Sequence, residues 1–138
     1  MPKKSILILC TGNSARSQMA EGILRHMVGD RFDVFSAGTT PSLVRPEAIL
    51  AMHEIGIDIS YHRSKSVEEF AHHPFDCVIT VCDNAKERCP IFPGATKHLH
   101  WPFEDPPPLE ADPEASLPIF RKVRDQMREH IIRELPSL

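Results

Sequence analysis

The run SILIL at residues 5–9 presents no polar face, and it stops abruptly at Cys10, Thr11 and Gly12. A strand that is apolar on both sides is covered on both faces, as inner strands of parallel sheets are. After a short polar loop, SQMAEGILRHMVG carries Met19, Ile23, Leu24 and Met27 at helical spacing, with Gly29 placed to end the helix. Strand, loop and helix in that order open an α/β unit, and the chain goes on alternating. FDVFSAG (32–38) reads as a second strand, RPEAILAMHEIGI (45–57) as a helix with Pro46 in its first turn and Gly56 at its end, and SVEEFAHH as a short helical piece. CVITVC (77–82) reads as a third strand and KHLHW (97–101) as a fourth. Prolines between Trp101 and Pro118 predict a long loop, and Ile119, Val123, Met127 and Ile131 predict an amphipathic helix reaching Leu135.

Such alternation gives an α/β three-layer sandwich, a parallel sheet with helices on both faces that binds ligands at the carboxyl ends of its strands. Cys10 and Cys82 both end predicted strands and are expected at that edge. A length of 138 residues suits one domain, residues 1–138, and 41% hydrophobic with 25% charged residues is the composition of an ordinary globular chain. No apolar run is long enough to span a bilayer, and MPKKSILILC lacks a signal-length apolar region, so a cytoplasmic protein is expected. The net charge of −3, with both signs interspersed, offers no surface for nucleic acid or an anionic membrane, and a monomer is expected. Four cysteines (Cys10, Cys77, Cys82, Cys89) are few for a disulfide scaffold, so any disulfide here is expected to be catalytic.

The loop from Cys10 to Arg16 has the pattern C-x5-R, followed by Ser17 and a helix. It lacks the GK[ST] ending of a nucleotide loop, the glycines of a dinucleotide fingerprint and the second cysteine of a C-x-x-C. What remains is a nest in which the amides of Thr11, Gly12, Asn13, Ser14, Ala15 and Arg16 converge on a tetrahedral oxyanion at a helix N-terminus. The same positive field favours a thiolate at Cys10, a nucleophile aimed at the anion's central atom. Arg16 supplies a planar fork for two anion oxygens, and Ser17 a hydroxyl for the thiolate. The blander reading is a buried, inert Cys10 with a solvated Arg16. C-x5-R-S between a buried strand and a helix argues against it.

C-x5-R-S near the N-terminus, with a distal DP in FEDPP, resembles the low-molecular-weight protein tyrosine phosphatase superfamily. CTGNSARSQMAEG and the later CDNAKERCP resemble its thiol-dependent arsenate reductase branch. The resemblance covers nearly the whole chain and implies a four-stranded parallel sheet with helices on both sides. It implies a relay in which Cys10 attacks arsenate, Cys82 attacks the Cys10 adduct to release arsenite, and Cys89 takes Cys82 into a disulfide that thioredoxin resets, with no cofactor. It also implies that Asp105, fixed in extended conformation by Pro106, is the general acid. Glu104 and Asp112 read as solvated loop charges, and Trp101 as packing beneath the loop.

If DNAKER (83–88) is helical, Cys82 and Cys89 lie about 10 Å apart along the axis, beyond the roughly 7 Å between Cα atoms that a disulfide spans. That segment must bend or unwind on oxidation. Taken singly, Cys82 and Cys89 also fit a buried strand-end thiol and an incidental surface thiol, while no zinc-type ligand spacing accompanies them. Cys77, an odd number of residues from Cys82, is assigned to the core on the opposite side.

In part of the reductase branch, Asn, Glu, Ser and an Asp surround a potassium ion behind the loop. Asn13, Glu21 and Ser36 match, but position 65 is Lys65, and its ammonium is expected to stand in for the ion's charge. Two other functions compete with arsenate reduction. A tyrosine phosphatase needs aromatic walls, which TTPSLVRP does not offer, and a non-enzymatic thiol sensor needs the nest and cysteines but nothing from FEDPP.

Overall fold

The sheet grows outward from its most apolar strand. In the computed structural model, which describes residues 3–82, 92, 94–104 and 112–138, β1 (Lys4–Cys10) lies between β2 (Phe32–Gly38) and β3 (Phe75–Thr80), and β4 (Ala95–His100) joins the outer edge of β3. All three pairings are parallel. The register sets Cys10 opposite Gly38 and Leu9 opposite Thr80, so the carboxyl ends of β2, β1 and β3 finish together.

Alternation along β1 divides the core. Ile6, Ile8 and Cys10 join the larger apolar cluster with Met19, Ile23 and Leu24 of α1 (Arg16–Val28), Ala48, Ala51 and Met52 of α2 (Pro46–His53), and Phe120, Val123, Met127 and Ile131 of α3 (Pro113–Glu134). Leu7 and Leu9 point the other way, into a smaller cluster with Ala37, Phe75, Val78 and Phe92, against which Phe70 of the 3₁₀ turn Val67–Phe70 packs. Both faces of β1 are thus covered, as its uninterrupted apolarity requires.

Several boundaries differ from the sequence expectation, and β4 begins at Ala95 rather than Lys97 and ends at His100 rather than Trp101. Strand β3 begins at Phe75, which pairs with Ala95, and ends at Thr80, so Cys82 lies two residues past the strand. Helix α2 stops at His53, and Gly56, at φ +80°, provides the left-handed turn that follows. Helix α3 starts at Pro113, well before the last proline. Asp112 caps it by accepting the Glu114 N–H (3.1 Å), and Pro113 occupies the first turn, where no donor is needed. Pro118 lies inside the helix, where the buried row from Phe120 to Ile131 outweighs one missing hydrogen bond. Among the described residues, no helix is long and apolar enough to cross a membrane.

Candidate active site

Between the end of β1 and the start of α1, the chain turns through Asn13 at φ +46°, a left-handed conformation tolerated by asparagine. The carbonyls of this turn all find donors elsewhere in the protein. Thr11 O accepts from Thr40 N (2.9 Å), Gly12 O from Ser42 N (3.3 Å) and Ser64 Oγ (3.0 Å), and Ser14 O from Arg45 N (2.9 Å). Asn13 O accepts from Gln18 Nε2 (3.1 Å) and Ala15 O from Met19 N (2.9 Å). A trans peptide directs its N–H opposite to its carbonyl, so these bonds turn the amides of residues 12–16 to the inner side of the loop. Asn13 N–H accordingly donates to Cys10 Sγ (3.2 Å). The segment after β2 can lie this close because Gly38 has no side chain; a Cβ there would stand 2.5 Å from Thr11 O.

Cys10 is 2% exposed, with its sulfur 2.9 Å from Ser17 Oγ. Behind it runs a buried polar chain. Asn13 Nδ2 donates to Ser17 Oγ (2.8 Å) and to Ser36 Oγ (2.9 Å), and Ser36 donates to Glu21 Oε1 (2.5 Å). The Glu21 carboxylate is ringed by Arg25 (3.3 Å), His62 (3.4 Å) and Lys65 (3.7 Å). Burial pushes the pKa values of both His62 and Lys65 down, and the Glu21 charge pulls each partway back. The Lys65 ammonium lies beside the Glu21 carboxylate.

This construction matches known proteins. The low molecular weight phosphotyrosine protein phosphatase profile fits residues 5–136. The chain belongs to that family. An arsenate reductase of Bacillus licheniformis is 44% identical over 133 residues, 96% of each chain. A solved arsenate reductase in its phosphate-binding state superposes with a TM-score of 0.80 at 35% identity, covering 97% of this chain and 98% of its own. A thioredoxin-dependent arsenate reductase of Corynebacterium glutamicum gives a TM-score of 0.68 at 28% identity, covering 99% of this chain and 64% of its own.

Of the other residues expected at the site, the described ones are Arg16, Ser17 and Cys82. Arg16, 4% exposed, donates from Nη1 to the Phe103 carbonyl (3.3 Å), tying the loop to the segment that leads toward Asp105. Cys82 is fully buried, with its sulfur 4.0 Å from the Leu9 carbonyl, one residue before Cys10. Cys77 is buried, and burial pushes its thiol pKa up. It shares the larger cluster with Cys82, so the alternation expected to separate them does not persist past Thr80. Cys89, Asp105 and the segment 83–88 lie outside the described residues. Trp101 is buried, with its ring 5.1 Å from that of His130, as a packing role predicts. Glu104 is exposed and 3.9 Å from Lys122, and Asp112 is exposed as expected and also caps α3.

Sequence reasoning missed Gln18, His62 and Ser64, which brace the loop from behind. The only sequence signal for Gln18 was a polar residue in the first turn of a helix next to apolar Met19.

Proposed function

We propose that this chain reduces arsenate to arsenite with electrons from its own thiols, as a single domain acting in a reducing compartment as a monomer. The observation that carries the reading is the placement of Cys82. Strands β1 and β3 are direct neighbours, Val81 N–H donates to Leu9 O (3.0 Å), and the next residue sets a second buried thiol beside the end of β1. A phosphatase needs only Cys10; arsenate reduction needs a further thiol within reach.

The chemistry follows in three displacements. Arsenate enters the nest, its oxygens held by the amides of residues 12–16 and the Arg16 guanidinium. The Cys10 thiolate forms an S–As bond, and an arsenic oxygen, protonated by Asp105 in this reading, leaves as water. The Cys82 thiolate then attacks Cys10 Sγ, forming an S–S bond; the S–As bonding pair passes to arsenic, and As(V) departs as arsenite. Cys89 attacks Cys82, expelling the Cys10 thiolate and leaving a Cys82–Cys89 disulfide. A thioredoxin-type dithiol restores both thiols.

A weak phosphatase activity is the second reading, because Cys10, Arg16 and Asp105 suffice for it. Arsenite production in the presence of thioredoxin, its reductase and NADPH tests the proposal. Wild type is expected to turn over repeatedly, and Cys10→Ser, Cys82→Ser and Cys89→Ser are not. Repeated turnover by Cys82→Ser or Cys89→Ser overturns the relay.

A further inference from the structure

Gln18 is fully buried one residue beyond Ser17, and its side-chain amide meets four polar groups. Nε2 donates toward Asn13 O (3.1 Å), Asn13 Oδ1 (3.0 Å) and Arg63 O (3.0 Å), while Oε1 faces His62 Nδ1 at 3.0 Å. Turned over, the amide would set an oxygen against three acceptors, so its orientation is fixed, and His62 Nδ1 donates to Gln18 Oε1.

The same logic passes to Asn13. Its Oδ1 accepts a backbone N–H, that of Lys65, at 2.7 Å, and a backbone amide can only donate. Asn13 Nδ2 must therefore be the atom facing Ser17 and Ser36. Ser17 Oγ accepts from Asn13 and keeps its own proton to donate, and towards Cys10 Sγ at 2.9 Å it must donate whenever the sulfur is a thiolate, which has no proton to give. Gln18 grips both the backbone carbonyl and the side chain of Asn13, the one residue of the loop held at positive φ. Two donors to the Cys10 sulfur depend on that conformation, the Asn13 N–H and, through Nδ2, the Ser17 hydroxyl.

We propose that Gln18 is a positioning residue for the Cys10 nucleophile: its amide locks Asn13 in the conformation and orientation that force the Ser17 hydroxyl and the Asn13 N–H to donate to the Cys10 sulfur. This rests on Cys10 being the nucleophile, but not on arsenate being the substrate. Gln18 touches neither the sulfur nor the anion site. It acts through Asn13, so its loss should change how readily Cys10 is present as thiolate and not the reactivity of the thiolate once formed.

Alkylation by iodoacetamide, followed at the Cys10 peptide by mass spectrometry from pH 5 to pH 9, separates those effects without any arsenate. Gln18→Met keeps length and volume and removes the amide. It is expected to react about tenfold more slowly than wild type at the acidic end, with the same plateau at the alkaline end, the loss expected for one hydrogen bond to a charged sulfur. Ser17→Ala should behave alike, and the double variant should lose less than the product of the two single losses, because both act on the same bond. Superimposable profiles for wild type and Gln18→Met overturn the proposal, as does a double variant that loses the full product. If Gln18→Met does not fold, Gln18→Glu, with the same shape, is read by the same two criteria. Failure of arsenite production with these profiles intact would count against the reductase reading and leave this one standing.

Discussion

Replacing Lys65 by methionine removes one ammonium and little volume, and Glu21 is the group that responds. Unit charges 3.7 Å apart attract by roughly 4 kcal/mol at an effective dielectric constant near 20. Much of that is offset by the cost of taking the ammonium out of water, which is why burial outweighs Glu21 and leaves the Lys65 pKa below its ordinary value. The carboxylate also keeps Arg25 at 3.3 Å and the Ser36 hydroxyl. The net loss expected for Lys65→Met is therefore about 1–2 kcal/mol, a fall in melting temperature of roughly 3–7 °C. The assay is thermal unfolding of wild type and Lys65→Met in matched sodium and potassium chloride, with turnover measured in both salts. Wild type is expected to show no preference between the salts, because an ammonium already holds the place of an ion. An unchanged melting temperature for Lys65→Met refutes the energetic argument. Clear stimulation of wild type by potassium over sodium refutes the substitution of charge itself.

Gly38→Ala places a methyl group 2.5 Å from Thr11 O and 2.9 Å from Asn13 N, both backbone atoms that cannot swing aside. A stability loss of about 1–3 kcal/mol in urea unfolding and a larger proportional loss of oxyanion affinity are expected. The Glu54 carboxyl is held at about 2 rather than 4.5, chiefly by the Arg121 hydrogen bond, with Arg124 adding to it. Because this pKa is lowered on folding, the stabilisation is present above pH 4.5 and is lost as the pH falls toward 2. Glu54→Gln should thus be less stable than wild type at pH 7, by a margin that shrinks as the pH falls toward 2, and an equal difference at both refutes the assignment. Phe120→Ala empties a fully buried site between α2 and α3, where the Arg45 guanidinium lies 5.1 Å from the ring centre, and is expected to cost about 3–5 kcal/mol in the same urea assay.

What could be read in advance was set by local pattern. SILIL specified a strand buried on both faces, FDVFSAG became a strand with the bounds expected, and C-x5-R-S placed a thiol, a turn and a helix start within eight residues. The errors came where a distant partner decides. Strand β3 slid toward Phe75 because its register is set against β4, and α3 began early because Asp112 caps it, a role its place among prolines concealed. Lys65 was visible as an unexpected residue type, and the structure gave it a carboxylate to face. Gln18, His62 and Ser64 brace the loop through contacts that cross as many as 52 residues of sequence, and no periodicity or short motif encodes them.

The central claim is that the electrons for arsenate come from Cys10, Cys82 and Cys89 in sequence. The most direct measurement is a single turnover of the fully reduced chain with arsenate and no external thiol, with arsenite counted and the disulfides mapped by peptide mass spectrometry. The account predicts one arsenite per chain, one disulfide joining the Cys82 and Cys89 peptides, and a free thiol at Cys10. Arsenite formed with Cys82 and Cys89 still reduced, or no arsenite at all from a chain that hydrolyses aryl phosphates, would contradict it.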